Sequence, residues 1–299
     1  MSANEYRLGL LLVTASAVAW STAGFFTRLI ALDGWTLLFW RGIFGAIGLA
    51  VAILALERTS AWRKFRDMGW PGWLFAVVSA VGMALFIMAL RHTTVAHVAV
   101  IYATVPLMAA VLAWLAMRER PSRSAVIASL AALAGIMLMV GFGMEGDPFG
   151  DILALGMTFC VAAMMVIARR FRTIPTMPAA CLSALLSGLA CWPLGEPLAV
   201  SAHELFMLSL FGLVNSAAGL ALFTLGARLL PAIETALIGA LDAPLAPLWV
   251  WVAFNETPSL STLAGGGIVF AAVAAHIASK HAAERKTAPP REGKPAQAP

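Results

Sequence analysis

The chain has 299 residues, of which 61% are hydrophobic and 12% charged, with a mean hydropathy of +0.87. An ordinary soluble domain carries roughly 25% charged residues, so this composition excludes a water-soluble globular protein and implies an integral membrane protein. The basic residues behind the net charge of +5 cluster between apolar runs, where they report topology and imply no nucleic-acid partner.

Apolar runs of about 18–25 residues, enough to cross a hydrocarbon core about 30 Å thick, mark the expected spans. The first covers residues 8–30 and the second 35–56, and the link Ala31-Leu32-Asp33-Gly34 is short enough to make them antiparallel neighbours. Arg7 and Ala15-Ser16-Ala17 resemble a secretory signal with its cleavage site. The apolar run continues through Trp20 to Phe26, however, and its removal would break the parity of the repeats, so the segment is expected to be retained. A basic linker with Arg58, Arg63, Lys64 and Arg66 leads to the third span, 71–90, and Trp62, Trp70 and Trp73 around it read as interfacial anchors. Spans at 95–117, 124–142, 152–168, 177–194, 205–225, 232–254 and 260–279 complete the series. The expected architecture is an all-α integral membrane protein with ten transmembrane helices, five per half, and a disordered tail over 280–299. Cys160, Cys181 and Cys191 are odd in number, lie inside apolar runs and lack ligand spacing, so no disulfide, metal or other cofactor is expected.

The stretch 77–124 returns over 214–261 at a constant shift of about 137 residues. Matches include Gly82/Gly219, Phe86/Phe223, Arg91/Arg228, Trp114/Trp251, Glu119/Glu256, Pro121/Pro258 and Ser122/Ser259. Positive charge is retained in cytoplasmic loops. Starting the chain inside gathers Arg7, the 58–66 cluster, Arg118, Arg120, Arg123, Arg169, Arg170, Arg172, Arg228 and the basic tail on one side. The other side receives Asp33, Glu145, Asp147, Asp151, Glu196, Glu204 and Glu256, with Arg28 and Arg91 as basic exceptions. Both termini are therefore expected in the cytoplasm, in a bacterial inner membrane. Five helices per half make the repeats inverted, the architecture of carriers that alternate access around a site near the midplane.

Phe86-x-x-x-x-Arg91, a helix containing Pro106, Glu119-x-Pro121-Ser122, Trp20-Ser21 and Phe39-Trp40-Arg41 resemble the EamA repeat of the drug/metabolite transporter superfamily. The resemblance covers nearly the whole chain to about Lys280, as a first repeat at 8–142 and a second at 148–279, and within the superfamily is greatest to bacterial aromatic-amino-acid exporters. It implies efflux of amino acids or related metabolites from the cytoplasm. Residues 179–183 offer no counterpart to Arg41, and Asn255-Glu256 replaces the usual Gly-Glu.

Ionisable groups within a span are costly, about 2.5–3.5 kcal/mol on insertion scales, so each requires a partner or a task. Arg41 reads as an anchor for a substrate carboxylate or, preferably, as a structural bridge to carbonyls or a helix end. Asp242, beside Pro244 and Pro247, reads equally as a site for an ammonium group or proton and as a support for a kinked helix. Glu234 and its repeat counterpart His97 sit at helix starts and read as structural or interfacial. Trp20, Ser79, Met83, Tyr102, Thr158, Met164, Asn215 and Ser216 are the other candidate contacts, although Met and aromatic residues within a span are by default packing. Where the halves diverge, Tyr102 faces Gly239 and Val105 faces Asp242 in the alignment, which makes those positions the favoured contacts. Gly42-x-x-Gly45-x-x-Gly48 and Gly265-Gly266-Gly267 allow close helix approach, within the bundle or at a dimer seam.

No HExxH, GxSxG, Walker A or Rossmann pattern occurs, so an enzyme or an ATP-driven pump is not expected. The expected partners are a small-molecule substrate, namely amino acids, and the lipid bilayer. Another metabolite or drug exporter of the same superfamily, or a passive channel, is the alternative.

Overall fold

In a computed structural model, residues 3–57, 61–141, 147–172, 175–255 and 257–287 are described. Ten helices among them are long and apolar enough to cross a membrane. We number these α1 (Ala3–Ser21 and Ala23–Leu29), α2 (Gly34–Glu57), α3 (Gly69–His92), α4 (Val95–Tyr102 and Val105–Met117) and α5 (Arg123–Val140). The second half contributes α6 (Pro148–Arg170), α7 (Thr176–Cys191), α8 (Ala202–Ala227 with a π stretch at Gly212–Ala218), α9 (Ala232–Gly239 and Asp242–Phe254) and α10 (Leu260–Thr287). Loops alternate between a terminal face, with the start of α1 and the end of α10, and a loop face, with the α1–α2 turn.

The helix starts follow local chemistry. Ser122 accepts from the Ala125 N–H (3.2 Å) at the start of α5, and Ser259 accepts from the Thr262 N–H (3.1 Å) at the start of α10. The repeated serine is thus the same N-cap used twice. A capping box of Ser201 and Glu204 starts α8. The second pieces of α4 and α9 end alike, on Arg118 and Asn255, both left-handed with φ 55°.

Packing obeys the expected inversion. α5 lies on α10, α2 on α7 and the second piece of α4 on the first piece of α9, while α3–α6 is mirrored by α8–α1 and α2–α8 by α7–α3. The fold is that of two inverted five-helix repeats. Two self-paired seams need glycine. A Cβ on Gly42 would lie 2.5 Å from the Gly188 Cα, and one on Gly135 would lie 2.7 Å from the Gly265 carbonyl oxygen, so the glycine runs serve contacts inside the bundle.

The periphery is apolar, with Val252, Leu260, Leu198 and Leu11 largely exposed. Trp62, Trp70 and Trp73 around the short helix Ala61–Arg66 are also exposed. One boundary needs correction. Helical backbone continues to Thr287, so the stretch from Lys280 to Thr287 is helix and not the start of a disordered tail. Residues 288–299, Glu145 and Glu256 lie outside the described residues.

Candidate functional site

α4 and α9 are both interrupted, at positions the repeat relates, because each carries a proline that breaks the hydrogen-bond ladder. Pro106 has no N–H for the carbonyl of Tyr102, and Pro244 none for that of Ala240. The chain tightens identically in both: the Thr104 N–H donates to Ile101 O at 3.0 Å, and the Leu241 N–H donates to Ile238 O at 3.1 Å. Irregular backbone at membrane depth is tolerated where it lines a cavity.

A cavity of about 570 Å³ lies between these two breaks. Tyr102 and Val105 face it from α4, Gly239 and Asp242 from α9, Trp20 and Arg28 from α1, and Met165 from α6. Among the described residues lining it, Asp242 is the acidic side chain and Arg28 the basic one. The rest of the wall is almost entirely apolar. Its rim includes Arg28, Thr257, Pro258 and Thr262, which belong to helix ends and a loop on the loop face, so the cavity opens on that side.

Trp20 is held in this wall by α8, which does not itself line the cavity. The indole ring lies 5.0 Å from the Phe223 ring at 43°, and its edge rests on the bare Cα of Gly219, where a Cβ would overlap it. One turn earlier, the buried Asn215 amide donates to the carbonyls of Ala19 (3.2 Å) and Trp20 (3.0 Å). These bonds satisfy backbone at the break in α1, just before Thr22. Asn215 in turn accepts from Arg41 Nη1 at 3.0 Å. Arg41 Nη2 lies 3.9 Å from Met83 Sδ, and the guanidinium lies 6.0 Å from the centroid of the Phe211 ring. A buried cation is thereby surrounded by an amide, a thioether and an aromatic ring, with its charge one layer behind the cavity.

A profile of the EamA-like transporter family matches residues 7–141 and 148–277, once in each half. The chain belongs to the EamA-like transporter family. A relative from Bacillus subtilis (strain 168), named "Uncharacterized transporter YwfM", is 28% identical over 199 residues. That match takes in 65% of this chain and 66% of the relative, just under two thirds of its length. A solved crystal structure superposes with a TM-score of 0.80 at 20% identity, covering 94% of this chain and 100% of the other, and shows the fold.

In this EamA-like chain, Trp20, Tyr102 and Asp242 of the sequence-predicted contacts meet in the cavity. Arg41, Met83 and Asn215 form the network behind Trp20. The other four sit in helix packing. The Ser183 hydroxyl donates to Ser79, joining α7 to α3. Ser216 is buried against Gly45, and the Thr158 hydroxyl donates to the Ala154 carbonyl within its own helix at 2.8 Å. Met164 is buried in the core, while its neighbour Met165 reaches the cavity. Sequence reasoning passed over Arg28 and Met165. Arg28 looked like a topological exception, and the rotation of α6 was not readable from an apolar stretch. No group of His, Cys, Asp and Glu able to hold a metal occurs among the described residues.

Proposed function

We propose that this EamA-like protein is a secondary carrier that exports amino acids, aromatic ones included, and related small metabolites from the cytoplasm by alternating access. The observation that carries the reading is the cavity between two matched helix breaks, walled by Trp20, Tyr102 and Met165 and bearing one carboxylate, Asp242, and one guanidinium, Arg28. A zwitterion with an apolar side chain fits that distribution. Asp242 takes the ammonium, Arg28 the carboxylate, and the aromatic wall the side chain. Flexible Met and flat aromatic surfaces accept varied side chains. The positive charge on the terminal face, with Arg118, Arg120, Arg123, Arg169, Arg170, Arg172 and Arg228, supports cytoplasmic termini in an inner membrane.

The test is counterflow in reconstituted vesicles, with amino acids tried singly with and without a pH gradient. Saturable exchange is expected, lost in Asp242→Asn at unchanged membrane abundance. Movement of organic cations without any amino acid would overturn the substrate. Non-saturable flux without counterflow would overturn the carrier in favour of a pore.

A further inference from the structure

A second cavity, of about 280 Å³, lies beneath the terminal face between the end of α4, the α4–α5 loop, the start of α9 and the end of α10, and Ala113 in its wall is 4% exposed. The repeat ties it to the first. Its lining residues Ala113, Arg120 and Pro121 correspond, at the shift of about 137 residues, to Val250, Thr257 and Pro258 of the large cavity. One wall of each hollow is therefore the same architectural element, built once by each half and pointing to opposite faces.

They differ in what holds their mouths. On the terminal face Glu234, 4% exposed, accepts from Lys280 Nζ at 2.7 and 2.9 Å, which binds the start of α9 to the end of α10. His276 of α10 places Nε2 3.8 Å from the same carboxylate, and Lys280 lies 3.9 Å from the centroid of the Tyr6 ring on α1. On the loop face the counterpart of Glu234 is His97, whose Nδ1 lies 3.1 Å from both oxygens of Asp151 on α6. There the large cavity runs between α4 and the end of α5, lined by Ala99, Met139 and Val140. The corresponding seam on the terminal face, between α9 and α10, is the one the Lys280–Glu234 bond spans.

We infer that the small cavity is the second mouth of the substrate path, held shut by the Lys280–Glu234 bond between α10 and α9. The inference rests on the alternating-access reading above. Release of Lys280 lets the end of α10 leave α9 and joins the small cavity to the space between the helix breaks. Arg120 and Glu119, the latter 3.6 Å from Arg169 Nε, place both signs of charge at its rim.

Ala113→Cys and Val250→Cys, each introduced singly, report the two mouths through reaction with a membrane-impermeant maleimide in vesicles exposing one face or the other. In the native background Val250→Cys is expected to react from the loop face and Ala113→Cys to stay protected. Glu234→Gln is expected to raise labelling of Ala113→Cys roughly tenfold, the shift produced by about 1.4 kcal/mol of lost bias, and to lower that of Val250→Cys. The exchanged pair Glu234→Lys with Lys280→Glu should restore the native pattern, which separates a lost bond from a misfolded chain. Continued protection of Ala113→Cys, simultaneous opening of both mouths, or failure of the exchanged pair to restore the pattern overturns the inference. Labelling needs no substrate, so opposed changes without amino-acid transport remove the substrate reading and leave the second mouth standing. Amino-acid transport without opposed changes does the reverse.

Discussion

Gly219→Ala is expected to narrow the substrate range without touching a residue that lines the cavity. The new Cβ would lie 2.7 Å from Trp20 Cδ1, against an ordinary contact of 3.4–4 Å. The indole must therefore move by about 1 Å, because rigid ring atoms cannot yield. Trp20 stands between α8 and the cavity, so it moves inward. Such an advance removes roughly 30 Å³, about the volume of one water, or about a twentieth of a cavity of 570 Å³. In a close-fitting apolar pocket a methylene-sized loss is worth about 1–3 kcal/mol, roughly 10–200-fold in discrimination. The assay is competition by amino acids of graded side-chain size against one labelled substrate in reconstituted vesicles. Tryptophan and phenylalanine should weaken by about tenfold relative to alanine and valine, and Trp20→Phe in the same background should restore them. A uniform loss across the series, or no restoration, would refute this account of the cavity wall.

Asn215→Ala strips Arg41 of its amide partner and removes one donor from each of the Ala19 and Trp20 carbonyls, at a cost of about 1.5–3 kcal/mol for the bond to the charged group. Thermal unfolding of the purified protein should show the loss. An Arg41→Ala/Asn215→Ala double variant should lose less than the two single variants together, and strict additivity would sink the network. Asp33, in the α1–α2 link, has its carboxyl held below the usual range. Burial, which acts to raise it, is outweighed by hydrogen bonds from Thr36 and from the Trp35 N–H. A lowered folded value means stabilisation that is full above the ordinary carboxylate value of about 4 and fades as pH falls through the folded value. The stability difference between native protein and Asp33→Asn should therefore shrink below about pH 4, and a difference independent of pH would count against it.

The ten spans were legible because a hydrocarbon solvent selects for length and apolarity, which composition records directly. The helix breaks were half legible. Pro106 and Pro244 announce them, and the divergence at Tyr102/Gly239 and Val105/Asp242 marked residues that do line the cavity. Helix rotation was not legible, since transmembrane helices are apolar on every side and small residues decide which faces meet. That is why Met164 and not Met165 stands among the sequence candidates, and why the preferred structural reading of Arg41 named carbonyls or a helix end, whereas Phe211, Met83 and Asn215 surround it. The π stretch at Gly212–Ala218 adds to the difficulty. It changes the phase of α8 partway along, so that its middle packs on α2 and its later part, with Gly219 and Phe223, on α1.

The left-handed stops at Arg118 and Asn255 act as a ruler. Each ends a helix piece of 13 residues that begins at a break, and 13 residues rise about 20 Å. Measured from opposite faces of a core about 30 Å thick, two such lengths overlap in a central layer, and both breaks fall within it. Residues could be gained or lost in the loops beyond these stops while the depth of the cavity stayed the same. A single residue added between break and stop would instead move one wall against the other by about 1.5 Å.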